Sequence, residues 1–301
     1  MTDGVRRSPL FYVGDKYRLM RSLLPLFPAE IGTFIEPFAG GGTVMLNVSA
    51  EHYIEGDINP YVVGLHRNLT KYAEDGTLFL SELFDSIAHY GLSCSYLKDV
   101  IPDTLKKAFP KTYFAKYNKE AYLRLRDDFN QSDPKDYTLL YLLLINGFNH
   151  MIRFNSKGEF NLPVGNVDFN KNVISALEGY FSAVRGKDIQ WHVADFRDLL
   201  NLSDPQPGDF VYLDPPYLIT FSEYNKLWNI EEEKSLLQAL DRLSRRGVSF
   251  GISNVTHYRG RENKTFIKWS ERYRLHEVKS NYISYHDNTK KQSREVFVTN
   301  Y

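Results

Sequence analysis

An acid, two prolines and an aromatic, Asp214-Pro215-Pro216-Tyr217, follow directly on the apolar run Phe210-Val211-Tyr212-Leu213. These types can do chemistry together. A carboxylate accepts hydrogen bonds, a tyrosine offers a flat face, and a proline pair holds both on a stiff turn. Neither proline has an N–H and each fixes φ at about −65°, so a strand arriving here must stop at Asp214. In open α/β sheets ligands bind at the carboxyl ends of strands, which puts Asp214 and Tyr217 on the rim of a crevice. Taken alone, the four residues fit a plain Pro-Pro turn equally well, so the other stretches decide.

A second stretch, Thr33 to Asn47, reads as a short strand, a glycine-rich turn and a helix, with Glu36, Phe38, Gly40, Gly41 and Gly42 at the turn. Glycines allow positive φ and close approach of a ligand to the backbone, and a helix N-terminus behind them offers free N–H groups. The turn lacks the spacing of dinucleotide sites and the Lys-Ser/Thr of a P-loop, which argues against a pyrophosphate ligand. Two further strand-like runs end in acids, Tyr53-Ile54-Glu55-Gly56-Asp57 and Ile189 to Asp195-Phe196. An acid at the end of a second strand commonly takes a ribose hydroxyl, so Asp57 is the ribose candidate, with N-capping of a helix starting near Pro60 as its other reading. Near the start, Tyr12 and Lys16 flank a Gly14-Asp15 turn and fit either an aromatic wall with a cation over a ligand or a helix start at the surface.

The elements that must position these residues follow an α/β rhythm that is interrupted once. Strands are expected at 33–36, 53–57, 189–194, 208–214, 248–253 and 295–301. Between 61 and 189 helical periodicity appears at 61–75, 77–90, 119–130 and 136–147. A crossover needs only a dozen or more residues, so this length implies an inserted domain. The expected division is 1–60 and 190–301 for the catalytic domain and 61–189 for the insertion. Within it, Ser156-Lys157-Gly158 is turn chemistry for a hairpin that carries Arg153, Phe154, Asn155 and Lys157, residues suited to a nucleic-acid groove or to a plain structural hairpin.

With 301 residues, 43% of them hydrophobic, the chain can build one large domain or a core with an insertion. The 37 basic residues balance the 37 acidic ones, so no global field announces a polyanion and any nucleic-acid surface must be local. One such surface is expected at Tyr258–Arg274 and Thr289–Arg294, where Arg and Lys interleave with Trp269, Tyr273 and Tyr285. A single cysteine, Cys94, excludes a disulfide framework or thiolate cluster and fits a reducing compartment, with the cytoplasm as the default. Arg6-Arg7 is followed by no apolar run, so no export signal is expected. Nor does any stretch reach the roughly 18 apolar residues of a membrane span.

In this order the motifs resemble the Dam-type (D12 class, α-group) DNA adenine-N6 methyltransferases. The resemblance rests on Tyr12-Val13-Gly14-Asp15-Lys16, Glu36 to Gly42, Gly56-Asp57-Ile58-Asn59, Arg153-Phe154-Asn155 with Gly158-Glu159-Phe160-Asn161, Asp195-Phe196, Asp214 to Tyr217 and the terminal Arg294 to Tyr301. It implies a doubly wound Rossmann-like sheet with an inserted, mainly helical target-recognition domain bearing a β-hairpin. S-adenosylmethionine is the implied cofactor and double-stranded DNA the implied partner, with a cognate restriction endonuclease as a further partner. No metal and no oligomer are expected, and the setting is the cytoplasm of a bacterium or archaeon, or a phage-encoded enzyme. By resemblance Glu36, Phe38, Gly40 and Gly42 would surround the methionine part of the cofactor, Asp57 its ribose, and Asp195 with Phe196 its adenine, with Tyr12 and Lys16 beside them. The sequence departs from the family pattern where Tyr12 stands for Trp, Asp15 for a second Gly and Phe154 for Tyr. In the implied reaction Asp214 and the Pro215 carbonyl accept the two N6 hydrogens of a flipped adenine, Pro216 stiffens the turn, Tyr217 stacks on the base and Phe154 wedges the vacated helix. Cytosine-N4 methylation and a non-catalytic DNA-binding scaffold are the competing readings.

Overall fold

A computed structural model describes residues 4–98, 101–220, 228–278 and 293–301. Among these, eight strands form one sheet: β1 (Thr33–Glu36), β2 (His52–Asp57), β3 (Asp188–Val193), β4 (Phe210–Leu213), β5 (Ser249–Tyr258), β6 (Arg261–Glu262), β7 (Arg274–Glu277) and β8 (Ser293–Thr299). The order is β3-β2-β1-β4-β5-β8-β7, with β6 paired to β5. The first five neighbours run parallel, and β8 is antiparallel to β5 and β7. This is the doubly wound, Rossmann-like arrangement, and the strand order reverses between β1 and β4.

Strand alternation sorts side chains to the two faces. Phe34, Tyr53, Phe210, Tyr212 and Phe297 enter one core, while Ile35, Val211, Leu213, Phe250, Val296 and Val298 enter the other. Eleven helices are described: α1 (Met20–Leu23), α2 (Thr43–Asn47), α3 (Pro60–Lys71), α4 (Gly76–Tyr90), α5 (Asp103–Ala108), α6 (Tyr113–Gln131), α7 (Tyr137–Asn146), α8 (Lys171–Val184), α9 (Phe196–Ser203), α10 (Ile230–Arg245) and α11 (Lys264–Ser270). Leu236, Ala239, Leu240 and Leu243 of α10 cover the second face, as their i, i+3, i+4, i+7 spacing requires, and Leu237 joins them. Helix α7 behaves differently, because Leu140 through Ile145 are all fully buried and leave no polar stripe.

The segment expected as a separate insertion shares its core with the sheet. Helix α3 packs on β2 and β3, α8 packs on α2 and α3, and Tyr141, Leu142 and Tyr180 belong to the same cluster as Phe34 and Tyr53. The sequence reading did not anticipate α5, α8, α9, α11 or β7. Two of its aromatic assignments also change. Trp269 and Tyr273, read as part of a basic nucleic-acid face, pack in the second core, and both donate to Asp241 at 2.8 and 2.7 Å. Tyr285 and Thr289–Gln292 lie outside the described residues. Among those described, no helix is long and apolar enough to cross a membrane.

Candidate active site

Because the chain continues from the parallel strands β1 and β4 toward opposite edges of the sheet, a crevice opens at their carboxyl ends. Glu36 ends β1, and Leu213 is the last residue of β4 to pair, opposite Ile252, so Asp214 stands just past the ladder. A cleft of about 580 Å³ occupies this position. Its walls include Tyr12, Lys16, Glu36, Phe38, Gly40 and Asp57, and on the facing side Asp195, Phe196 and Asp214 through Tyr217. Residues 180 and more apart in sequence thus share one cavity.

The acid of the proline turn is held from two sides. Lys16 Nζ donates to Asp214 Oδ2 at 2.5 Å and to the Gly14 carbonyl at 3.2 Å. On the other side the Tyr217 hydroxyl donates its one proton to Asp214 Oδ1 at 2.9 Å, with Glu295 Oε1 3.2 Å from the same hydroxyl oxygen. Lys16 Nζ also lies 5.4 Å from the centroid of the Tyr217 ring. Burial, then the charges of Asp214 and Glu295, push the Tyr217 hydroxyl well above its usual range, so it stays protonated and acts as a donor. Burial likewise raises the Glu295 carboxyl, and Lys16 opposes the rise.

At the glycine turn, Gly40 and Gly42 both take left-handed φ, +47° and +71°. Gly40 faces the cleft beneath Tyr12, whereas Gly42 does not line it. A Cβ at Gly42 would fall 2.9 Å from His66 Cε1. Gly42 therefore lets the loop close on His66, whose Nε2–H donates to the Gly40 carbonyl at 2.9 Å and whose ring stacks on Trp191 at 4.1 Å. Burial lowers the His66 pKa to about 4, so the ring is neutral and can serve as a wall. The five-residue α2 has no side-chain cap on Gly42, and the Met45 N–H hydrogen-bonds the Glu36 carboxyl instead. Asp57 Oδ2 accepts from Gly40 N at 3.0 Å and Oδ1 from Asn59 N at 2.8 Å. Its N-capping alternative is corrected, since Asn59 caps α3 by accepting from Tyr61 N at 3.0 Å. Asp195 caps α9 and is held by Arg197, which also pairs with Glu232.

Phe38 and Phe196 stack at 5.6 Å, and Trp228 meets Phe38 edge-on at 5.7 Å. Trp228 and Glu295 were not singled out as site residues by sequence reasoning. Trp228 sits in a polar run without periodicity, and Glu295 was visible only as part of a terminal strand motif.

The hairpin forms, with a bridge between Phe154 and Phe160, but its residues point elsewhere than expected. Phe154, expected to wedge DNA, stacks on Tyr61 at 3.9 Å and packs edge-on against Phe160. Its ring is half-buried and packs against the core. Arg153 donates to the Asn161 side chain and carbonyl, and Asn155 Oδ1 accepts from the N–H groups of Lys157 and Glu159 across the turn. Lys157 stands exposed at the tip. The exposed aromatic near this region is Phe148, with 51% of its surface accessible. It begins a loop in which Asn149 and His150 both take left-handed φ, and the His150 ring lies 5.5 Å from Phe11, next to Tyr12 of the cleft wall.

Residues 12–283 match the family described as D12 class N6 adenine-specific DNA methyltransferase. The chain is 34% identical over its whole length to the type II methyltransferase M.FokI of Planomicrobium okeanokoites, covering 44% of that protein. It is 32% identical over 98% of its length to the modification methylase StsI of Streptococcus sanguinis, covering 43% of it. With the DNA adenine methylase of Escherichia coli K12 it shares 27% identity over 96% of its own length and 94% of the relative. It thus spans less than half the length of M.FokI and StsI. A β1–β4 crevice that joins a glycine turn to an Asp-Pro-Pro-Tyr strand end, in a chain matched from Tyr12 onward, places this protein in the D12 class of N6 adenine-specific DNA methyltransferases.

Proposed function

We propose that this chain transfers a methyl group from S-adenosylmethionine to N6 of an adenine flipped out of double-stranded DNA. The observation that carries the reading is the position of Asp214-Pro215-Pro216-Tyr217 at the end of β4, across the cleft from the glycine turn. Buried polar atoms left without partners support cofactor binding there. Glu36 Oε2 and Trp228 Nε1 are both buried and make no hydrogen bond, which is costly unless a ligand meets them. Each Asp57 oxygen keeps a lone pair beyond its single backbone donor, enough to receive a ribose hydroxyl. Phe38, Phe196 and Trp228 form an aromatic corner suited to a purine.

Bound S-adenosylmethionine would supply an electrophilic methyl on a sulfonium. The protein's share is to place and polarise the acceptor. An exocyclic amine is a weak nucleophile because its lone pair is delocalised into the ring. Asp214 and the Pro215 carbonyl can each accept one N–H, favouring the pyramidal amine. Lys16 and Tyr217 fix the Asp214 carboxylate before the base arrives, so little reorganisation is left for the reacting complex. In-line placement of two reactants is worth up to about 7–11 kcal/mol. The exposure of Phe148, two residues before His150, whose ring meets Phe11 next to Tyr12 of the cleft wall, supports it, rather than Phe154, as the side chain that fills the space left by the base.

The test is transfer of label from methyl-labelled cofactor to duplex DNA, followed by digestion. N6-methyladenine is the expected product, and Asp214→Ala should lower kcat by at least about 10³-fold. N4-methylcytosine as the product would transfer the assignment to cytosine, and cofactor binding without any turnover would mark a non-catalytic DNA-binding protein. Double-stranded DNA as partner and a single cysteine, the buried Cys94, support a cytoplasmic setting. The names of M.FokI and StsI support a modification role beside a cognate restriction endonuclease.

A further inference from the structure

Directly beneath the cleft lies a second carboxyl group that the methyl-transfer reading does not use. Glu55 is the register partner of Glu36 on the neighbouring parallel strand, so the two residues face one another across β1 and β2. Glu55 is 0% exposed and Glu36 2%. Neither Glu55 oxygen has a donor, and Glu36 Oε2, on the cleft wall, has none either. Side by side in such a place, where water is excluded and the Met45 N–H is the one donor offered to the pair among the described residues, two ionised carboxylates repel strongly. A proton between them satisfies one oxygen of each.

The surrounding charges do not remove this need. Lys187, the nearest cation to Glu55, directs its Nζ to the carbonyls of Met45 and Val48 at 3.1 and 3.2 Å and stands over the Tyr53 ring. Burial lowers its pKa to about 8, with Glu55 opposing the fall. On the far side Glu36 meets the charge of Asp214, which adds to the repulsion, while Lys16 is engaged by Asp214 itself. Tyr53 and Tyr180, which also face Glu55, are both held protonated by burial. Met45 N–H on α2 is the one backbone donor that meets the Glu36 carboxyl among the described residues. Burial first, then the facing acid, raises Glu36, and burial raises Glu55 against the pull of Lys187.

We propose that Glu36 and Glu55 share a single proton in the free protein, and that Glu55, which does not touch the cleft, thereby makes binding of a cationic cofactor proton-linked. A cation brought to the Glu36 side of the cleft favours the fully ionised pair, and the proton leaves to solvent through the cleft. Glu55 is thus a positioning residue, acting through Glu36. The linkage has a definite sign. Where the free pair holds the proton, affinity for the cation rises with pH, by at most about tenfold per pH unit for one proton released.

This inference rests on the S-adenosylmethionine reading, and the experiment separates the two. Titration calorimetry with S-adenosylmethionine, in buffers of different ionisation enthalpy near pH 7, counts the protons exchanged. The expected result is a release of up to one proton by the wild type. Glu55→Gln, whose amide can donate to Glu36 without titrating, should bind the cofactor with that release missing. The ligand's own groups contribute equally to both proteins, so the difference between them reports on the pair. Equal proton exchange in both would overturn the proposal. A second measurement needs no variant: the infrared C=O band of a protonated carboxylic acid should be present in the free wild type and lost when the cofactor binds. Persistence of every such band on binding would overturn the proposal. Absence of any binding to the folded wild type would overturn the cofactor reading, and this proposal with it.

Discussion

The chemistry of the site turns on hydrogen bonds that fix one carboxylate before substrate arrives. Asp214 has Lys16 on Oδ2 and the Tyr217 hydroxyl on Oδ1, and Glu295 holds that hydroxyl from behind. Tyr217→Phe keeps the ring and removes only this donor. A hydrogen bond to a charged group contributes about 1.5–3 kcal/mol, so kcat should fall by about tenfold or more while the Kd for cofactor is unchanged. Single-turnover methylation together with equilibrium cofactor titration checks both parts. A loss confined to cofactor affinity would show that Tyr217 serves the cofactor and not Asp214. The Asp-Pro-Pro-Tyr stretch was legible in the sequence because proline chemistry ends a strand whatever surrounds it. Its partner Lys16, 198 residues away, became visible as a partner only once the sheet had brought the chain ends together.

At the scale of elements, the glycine turn and α3 form a unit. Gly42 is needed for two reasons: its φ of +71° suits no side chain well, and a Cβ would press on His66. Gly42→Ala should cost about 1–3 kcal/mol and lower the melting temperature of the free protein. Retention of wild-type stability would mean that the turn relaxes around the methyl. His66 gives a separate signal in pH. Its folded pKa of about 4 lies below the ordinary 6.5, so the stability it contributes is present above pH 6.5 and is lost as pH falls toward 4. The slope from this one group is at most about 1.4 kcal/mol per pH unit. Glu36 and Glu55, raised by burial, act in the opposite sense, which is why a variant is required. The stability advantage of wild type over His66→Gln in denaturant titrations should shrink as pH falls through this window, and a constant difference would refute a buried neutral His66. The strands β1, β4 and β8 were legible in the sequence as short apolar runs. Helix α7 was legible at 136–147 and α2 by its place after the glycine turn, whereas α5 and α11, of six and seven residues, are too short to establish a period.

Across the whole molecule, the helices between 61 and 189 are built onto the sheet and share its core, so on the proposed reading the surface offered to DNA and the cleft belong to one packed body. Phe148 lies where that surface carries an exposed aromatic, on a loop joined through His150 and Phe11 to Tyr12. Base–aromatic stacking is worth about 1–3 kcal/mol. Phe148→Ala should therefore weaken duplex binding by about tenfold and reduce the fluorescence rise of 2-aminopurine placed at the target adenine. Phe154→Ala, by contrast, should act through stability, since its ring packs on Tyr61 and Phe160. If Phe154→Ala lost the fluorescence rise at unchanged stability and Phe148→Ala did not, the roles would be reversed.

By itself the sequence pointed to the family and the strand ends. A proline pair after an apolar run, acids closing three strands and a glycine turn before a helix are local rules, obeyed whatever the rest of the chain does. Tertiary structure alone decided which residues face one another. The pairing of Glu36 with Glu55 depends on the register of two parallel strands, the seat of Phe154 on Tyr61 depends on how the hairpin docks on α3, and the aromatic corner of Phe38 with Trp228 depends on where α10 begins. Register and docking arise from burying apolar faces against partners distant in sequence, and a period-two or period-3.6 pattern gives the face of each element without naming its partner.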